Sequence, residues 1–328
     1  MRALVLGCGG TLGFAWSAHV VAALADAGWQ DPEILVGTSA GAELAAMLGA
    51  GLSAAEVVRA LDEEPDADPR LLQHVRHPVA PLPSLPRPSL PALGLASAAL
   101  RGHADGLALA AGLLPRGGGD AGFLHRLGHA LAERPSGWVA HPATWLVAAD
   151  ARSGQRVAFG RPDAPRARLA PALAASWAVP GLFPPVTIGR RRYLDGGAVS
   201  PTSADLLLPA VRTGRIREVA IVAPMSTHGG APGRGLSRLE RLVRAAMTRR
   251  VDEEVRLLRA HGARVVRLEP GTDDLTVMGP NFLAHRRRPA VLDVARRTAP
   301  ALVAARLAAP PDPGPMAPAR RGRRHSRA

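Results

Sequence analysis

Residues 34–41, Ile-Leu-Val-Gly-Thr-Ser-Ala-Gly, decide how this chain is interpreted. The apolar start predicts a short buried strand, and the alanine- and leucine-rich segment after it predicts a helix that ends near Gly49. Between the two stands the pattern Gly-x-Ser-x-Gly, from Gly37 to Gly41, in the strand-to-helix context that this pattern requires. The sharp turn projects the serine side chain at the end of the strand, above a helix N-terminus that stabilises negative charge. Ser39 is therefore a candidate nucleophile, and a serine in an ordinary tight turn is the alternative.

A glycine-rich turn also follows the first predicted strand, residues 3–6. Gly7, Gly10 and Gly13 have a spacing seen in some dinucleotide-binding folds. Such a site needs an acidic residue at the end of the second strand, whereas Asp31 and Glu33 precede that strand. A cluster of backbone N–H groups beside the serine, an oxyanion hole, is therefore the favoured interpretation. Its candidate residues are Gly9, Gly10, Thr11 and Gly13.

A general base for Ser39 is harder to find in the sequence. Among the 11 histidines, His228 in Ser-Thr-His-Gly is the best candidate, but no convincing signature surrounds it. Asp195, followed by Gly196 and Gly197, is the better partner. Since an aspartate before two glycines is often only part of a hairpin, the pattern alone leaves a structural and a catalytic role open.

The rest of the chain alternates predicted strands with predicted helices. Apolar runs predict strands at 144–149, 218–223 and 263–268, with 155–159 as the hairpin partner of the first. Helices are predicted at 14–27, 123–133, 170–177, 236–260 and 289–307, and Ser53-Ala54-Ala55-Glu56 is a capping box that starts another helix. This alternation indicates a layered α/β domain.

The composition is that of a folded domain. The 328 residues suit one large α/β domain or two small ones, and 47% hydrophobic residues permit a sizeable core. No apolar run reaches the length of about 18 residues that a membrane-spanning helix needs. The apolar N-terminal stretch is too short for a signal peptide, so the expected location is cytoplasmic. Cys8 is the single cysteine, which excludes an intrachain disulfide and a cysteine-based zinc site.

The chain is strongly basic, with a formal net charge of +14. It contains no lysine, so all 41 basic residues are arginine. A basic surface attracts nucleic acid and anionic membranes, but aromatic residues make up only 3% of the chain and none lies in the basic tail. A solvated arginine surface is therefore favoured, peripheral contact with an anionic membrane is the alternative, and specific nucleic-acid binding is not expected.

The predicted domain spans residues 1–308 and contains one insertion, and a tail follows it. Residues 77–120 are rich in proline, alanine, leucine and glycine, and they form an insertion that is either a lid or a structural linker. Residues 309–328 are rich in proline, alanine and arginine, which predicts a disordered tail.

Taken together, these motifs resemble those of bacterial patatin-like phospholipases, a family of serine lipid acyl hydrolases. Three blocks match in order, namely the loop at residues 7–13, the turn at 37–41 and the Asp-Gly-Gly at 195–197. Residues 145–154 and 174–186 also fit the family pattern. The resemblance extends over roughly residues 3–300 and is weakest at 77–120. It implies a three-layer α/β/α fold with a central, mostly parallel sheet and the serine elbow after the second strand.

The resemblance further implies a Ser39–Asp195 dyad, with the backbone N–H groups near Gly9, Gly10 and Thr11 holding the oxyanion. The expected substrate is a lipid or another ester, with no cofactor and no metal. Leu12 departs from the family, which commonly has a lysine or arginine there, and this departure leaves head-group preference open. An acyltransferase of related architecture and a non-catalytic membrane-binding module are the alternatives, and the oligomeric state is not predicted.

Overall fold

The protein is described by a computed structural model over residues 1–76, 112–229 and 237–310. The strands are β1 (Arg2–Leu6), β2 (Ile34–Thr38), β3 (Thr144–Asp150), β4 (Arg156–Phe159), β5 (Val186–Ile188), β6 (Arg191–Asp195), β7 (Glu218–Val222) and β8 (Arg264–Leu268). The α-helices are α1 (Gly10–Asp26), α2 (Ala40–Gly49), α3 (Ala54–Leu61), α4 (Pro69–Val75), α5 (Gly122–Leu131), α6 (Leu169–Ser176), α7 (Leu208–Arg212), α8 (Ser237–Ala260), α9 (Thr272–Met278) and α10 (Arg288–Ala308). Short 3₁₀ helices span Gly196–Ala198, Ala204–Leu207 and His285–Arg287.

The strands form one sheet in the order β5-β6-β3-β2-β1-β7-β8, with β4 also paired to β3. The five strands from β3 to β8 in this order are parallel to their neighbours, whereas β4 and β6 are antiparallel to β3. The expectation of a mostly parallel central sheet is thereby confirmed.

The two faces of the sheet pack against different helices. Along β1, Leu4 and Leu6 belong to the hydrophobic cluster that includes α1, α2, α5, α6 and α10, whereas Ala3 and Val5 belong to the cluster that includes α7 and α8. This alternation follows from the two-residue period of a strand. The result is three layers, helices on both faces of a sheet, as the sequence predicted.

The register of β3 brings the C-terminal ends of two strands together. Thr38, the last residue of β2, pairs with Val147, and Asp195, the last residue of β6, pairs with Ala148. β4 pairs with residues 146–149 along one edge of β3. β2 and β6 therefore both pair with the other edge of β3, and their C-terminal ends point toward each other. The sheet therefore places Ser39 and Asp195 side by side.

Most predicted elements are present within a few residues of their expected bounds, but α4, α7, α9, β5 and β6 were not predicted. The acidic segment after Leu61 does end α3, yet Asp68 caps a new helix, because its carboxylate accepts the N–H of Arg70 and Pro69 stands at the first helical position. Of the predicted insertion, residues 77–111 lie outside the described residues, as do residues 311–328 of the predicted tail. None of the helices in the described ranges is long and apolar enough to cross a membrane.

Candidate active site

Ser39 occupies a strained turn between β2 and α2. Its backbone has φ 57° and ψ −123°, a conformation that non-glycine residues rarely adopt and that clusters at functional sites. The side chain is almost fully buried, with 3% of the residue exposed. The local sequence produces this turn because a buried strand runs directly into a helix with no intervening loop.

The two glycines of the turn are required by close packing. A Cβ atom on Gly37 would lie 2.4 Å from the carbonyl oxygen of Gly41, and one on Gly41 would lie 2.1 Å from the carbonyl oxygen of Leu6. Both distances are far below any tolerated contact, so larger residues would displace β1 or α2. Since Gly41 also abuts Gly7, the serine turn and the glycine-rich loop lie against each other.

A buried serine on a distant helix anchors this turn. The backbone N–H of Ser39 donates to Oγ of Ser176 at 2.9 Å, and the Ser176 hydroxyl donates to the carbonyl oxygen of Val147 at 2.7 Å. Ser176 ends α6 and is completely buried. Sequence reasoning placed Ser176 in a family-like segment but gave it no role, because its partners are 137 and 29 residues away.

Asp195 ends β6 and is 3% exposed. It accepts the N–H of Gly197 at 2.6 Å, which begins the 3₁₀ helix Gly196–Ala198. Burial raises the pKa of Asp195 to about 7, and the Ser39 hydroxyl and the Gly197 N–H lower it by less. The carboxyl is thus poised to take up a proton near neutral pH, next to a serine hydroxyl.

The glycines after Asp195 have little room around them. A Cβ on Gly196 would lie 2.7 Å from the carbonyl oxygen of Val147, and one on Gly197 would lie 3.0 Å from Oδ1 of Asp195 itself. The same position on Gly197 approaches the Cys8 side chain at 3.1 Å. The Asp-Gly-Gly turn therefore packs against both β3 and the glycine-rich loop.

The glycine-rich loop leads into the N-terminus of α1. Among the described residues, no backbone partner receives the N–H groups of Gly9, Gly10 and Thr11, whereas the Leu12 N–H donates to Phe282 and the Gly13 N–H to the carbonyl of Gly9. Gly9, Gly10 and Thr11 thus present backbone N–H donors at the start of a helix, as an oxyanion hole requires. Gly13 has another function, because its missing Cβ makes space for Pro224 at 3.2 Å.

Leu12, where the family commonly has a basic residue, is 1% exposed and belongs to the main hydrophobic cluster. Its side chain contributes to the core, and no charge stands at this position of the loop.

Glu254 of α8 organises the chain that follows Asp195. Its carboxylate accepts the hydroxyls of Ser200 and Thr202, each at 2.5 Å, and the N–H of Ala204 at 2.8 Å. Burial raises the pKa of this carboxyl to about 7, and the nearby Asp205 adds to the effect. The carbonyl of the intervening Pro201 accepts the N–H of Cys8 at 2.8 Å. Glu254 therefore connects α8 to the glycine-rich loop, a role that sequence reasoning missed because Glu254 lies within an ordinary charged helix.

His228 is placed away from the role of a base for Ser39. Its Nδ1 hydrogen-bonds Glu269 at 2.8 Å and its Nε2 hydrogen-bonds Asp252 at 3.1 Å. Both ring nitrogens are therefore occupied by carboxylates.

Comparison with known proteins identifies the family. The model of the patatin-like phospholipases matches residues 4–208, which is more than half of the chain and includes both Ser39 and Asp195. The chain therefore belongs to the patatin-like phospholipase family, and this membership supports a hydrolase of lipid esters. No curated protein matches the chain. Glu254 lies outside the matched segment, although it contacts the end of that segment.

Proposed function

We propose that the protein is a serine esterase that cleaves fatty-acyl esters of lipids, including phospholipids, by means of a Ser39–Asp195 dyad. The observation that carries this proposal is the pairing of a strained, buried serine with a buried aspartate whose pKa lies near 7. Family membership supports the lipid ester as the substrate class. An ordinary tight turn would not explain the buried carboxyl beside Ser39.

In the proposed reaction, Oγ of Ser39 attacks the ester carbonyl carbon while Asp195 takes the hydroxyl proton. The oxyanion of the tetrahedral intermediate accepts hydrogen bonds from the backbone N–H groups of Gly9, Gly10 and Thr11, at the positive end of the α1 dipole. Collapse of the intermediate breaks the bond to the alcohol, which leaves with the proton from Asp195. An acyl-enzyme remains on Ser39.

The second half of the reaction repeats this chemistry with water. Asp195, again a carboxylate, takes a proton from a water molecule that attacks the acyl-enzyme carbonyl. The intermediate collapses, Ser39 regains its proton from Asp195, and a fatty acid is released. A carboxyl with a pKa near 7 suits both directions of transfer, because a base works best when its pKa lies near the working pH.

Peripheral contact with the surface of an anionic membrane is a further part of this proposal. The long helix α8 carries many arginines, but several are already paired, Arg244 with Glu240 at 2.6 Å and Arg250 with Glu253 at 3.1 Å. Any attraction to lipid would come from the overall charge of +14.

The proposal is tested by fatty-acid release from a short-chain p-nitrophenyl ester and from mixed phospholipid vesicles. We expect Ser39→Ala to abolish release from both, together with labelling by a fluorophosphonate. Ser136→Ala, at an exposed serine, is the matched control and should behave like the wild type. Equal rates for the wild type and Ser39→Ala on both substrates would contradict the proposal and favour a binding module. Acyl transfer to added alcohols in preference to water would favour an acyltransferase.

A further inference from the structure

A small, partly enclosed cavity of about 40 Å³ lies next to the candidate active site. Its lining includes Thr11 of the glycine-rich loop, Glu43 of α2 and Trp177. Trp177 follows Ser176, which anchors the serine turn, and Glu43 lies in the first turn of α2, four residues after Ser39, the N-cap residue of that helix. With a rise of 1.5 Å per residue, Glu43 is about 6 Å from Ser39 along the helix axis. The cavity is therefore bounded by the same elements that hold the nucleophile.

The largely apolar lining of the cavity contains several buried polar atoms. Five of its lining side chains carry a buried oxygen or nitrogen atom that has no hydrogen-bond partner among the described residues, namely Oγ1 of Thr11, Oε1 of Glu43, Nδ1 of His74, Nε1 of Trp177 and Nε2 of His285. Buried polar atoms are nearly always paired, and leaving one unpaired is costly. Five such atoms around one cavity point to a polar group that the cavity binds.

The polar wall is rigidly built. Nε2 of His74 contacts Oε2 of Glu43 at 2.5 Å, and the two side chains are only 7% and 4% exposed. The His74 ring stacks on Phe123 at a centroid distance of 5.7 Å, and Phe14 packs edge-on against it at 6.5 Å. Because each member of the pair uses one atom for the other, Oε1 of Glu43 and Nδ1 of His74 remain for a ligand.

The charges in the described wall disfavour an anionic group. Glu43 places a carboxylate in the wall, and a phosphate would be repelled by it. Among the described residues of the wall, Arg288 carries the guanidinium, and this group is already held by Glu63 at 2.8 Å and by the carbonyl oxygen of Val75. Burial lowers the pKa of His285, so its ring is neutral and one of its nitrogens accepts hydrogen bonds. A ligand here must donate hydrogen bonds to acceptors and carry no negative charge.

We propose that this cavity is a subsite for a hydroxyl group of the substrate, bound by Glu43, His74, His285 and Thr11. A hydroxyl both donates and accepts, which matches a carboxylate oxygen, a threonine hydroxyl and imidazole nitrogens together. The volume accommodates one or two groups the size of a water molecule. That the hydroxyl belongs to the substrate rests on the proposed function. The binding of a hydroxyl-bearing group can be measured without turnover. The hydroxyl belongs either to the alcohol part of the ester or to the acyl chain.

Binding is measured directly on the full-length chain labelled with ¹⁵N-histidine. We expect glycerol to cause saturable shifts of the ring-nitrogen resonances of His74 and His285, while exposed His125 stays constant as an internal control. The probe 1,2-dimethoxyethane has a similar shape but no donor, and it should cause no saturable shift. Glu43→Gln should weaken glycerol binding about tenfold, whereas Glu133→Gln, at an exposed glutamate, should not. The absence of a saturable shift with glycerol, or equal shifts with both probes, would overturn the proposal.

Hydrolysis then identifies the source of the hydroxyl. Three esters with one acyl length are compared by kcat/KM, namely a propyl ester, a monoacylglycerol and a propyl ester of the 3-hydroxyacyl chain. We expect one hydroxylated ester to exceed the propyl ester by at least about tenfold, because the site leaves acceptors unpaired when the hydroxyl is missing. This advantage should be reduced in Glu43→Gln. Equal rates on all three esters would contradict the subsite, whereas no Ser39-dependent hydrolysis of any of them would contradict the proposed function and leave the glycerol measurement as the test of the cavity.

Discussion

Two aspartates on neighbouring strands of the sheet have the same exposure but opposite acidity. Asp150 ends β3 and Asp195 ends β6, and each is 3% exposed. Burial is the largest effect on both carboxyls and raises both pKa values. Nevertheless the pKa of Asp150 lies below its ordinary value, whereas that of Asp195 is raised to about 7.

The difference has two causes, the deeper burial of the Asp195 carboxyl and the hydrogen-bond donors around each carboxylate. Asp150 accepts the N–H groups of Arg152 and Ser153, both at 2.9 Å, and forms an ion pair with Arg191 at 3.1 Å. Together these donors outweigh burial. Asp195 has the N–H of Gly197 and the neighbouring hydroxyl of Ser39, and these do not outweigh it. Burial alone therefore does not identify a base, whereas burial with few donors beside a serine does.

The largest expected effect is the loss of turnover in Asp195→Asn. The amide keeps the shape and can still accept the Gly197 N–H, but it cannot take the Ser39 proton. We expect kcat on a p-nitrophenyl ester to fall by about 10²–10⁴-fold, the usual contribution of a general base. Circular dichroism should show an unchanged fold, and retention of more than a tenth of kcat would contradict the dyad.

The same substitution should stabilise the protein at alkaline pH. A folded-state pKa raised from 3.8 to about 7 means that ionisation of Asp195 opposes folding, increasingly so between pH 3.8 and 7. At pH 8 the cost approaches about 4 kcal/mol, since each pKa unit corresponds to about 1.36 kcal/mol. Urea unfolding should therefore show a larger free energy of unfolding for Asp195→Asn than for the wild type at pH 8. This difference should decrease toward pH 4. A variant less stable than the wild type at pH 8 would argue against a buried, donor-poor carboxylate.

Asp150→Asn should have the opposite effect on stability. The amide can still accept the two backbone N–H groups at Oδ1, but the substitution removes the negative charge and replaces Oδ2, the partner of Arg191, with an NH₂ group. We expect a loss of about 1–3 kcal/mol in unfolding free energy at pH 7. Because the pKa of Asp150 is lowered, the stability that its charge contributes is present above pH 3.8 and is lost as the pH falls through the lower folded-state value. Urea unfolding at pH 7 and pH 3 tests this. An unchanged stability at pH 7 would show that the donors around Asp150 contribute little.

The smallest expected effect is a pH dependence of the rate. Since only the carboxylate form of Asp195 can act as a base, kcat/KM of the wild type should decrease below about pH 7 and approach a tenfold loss per pH unit. Asp150→Asn should retain this profile, measured on correctly folded protein. A rate that stays constant down to pH 5 would mean that Asp195 ionises in its ordinary range.

The sequence predicted those parts of the site that depend on local chemistry. The turn at Ser39 could be predicted because the strand, the two glycines and the helix are contiguous. Asp195 has a weak local pattern, and only the order of three motifs made it the favoured base. The roles of Ser176 and Glu254 were missed because they depend on partners that are distant in the chain.

The cavity residues show the same limit. Glu43 lies in an apolar helix and His74 in a helix that was not predicted, 31 residues apart. A single histidine or glutamate in such a helix carries no signal of its own, and only packing of α2 against the region of α4 makes them a buried pair. The glycine positions were more informative. Gly37 and Gly41 belong to the Gly-x-Ser-x-Gly pattern, and the structure leaves no room for a Cβ atom at either position.

The most direct test of the account is a carboxyl ¹³C titration of the aspartates in the full-length protein. The account predicts one aspartate resonance that titrates near pH 7 and disappears in Asp195→Asn, together with one that titrates below pH 3.8 and disappears in Asp150→Asn. Titration of Asp195 at or below 3.8 would contradict the central claim, because a carboxyl of ordinary acidity in that position would not serve as the base for Ser39.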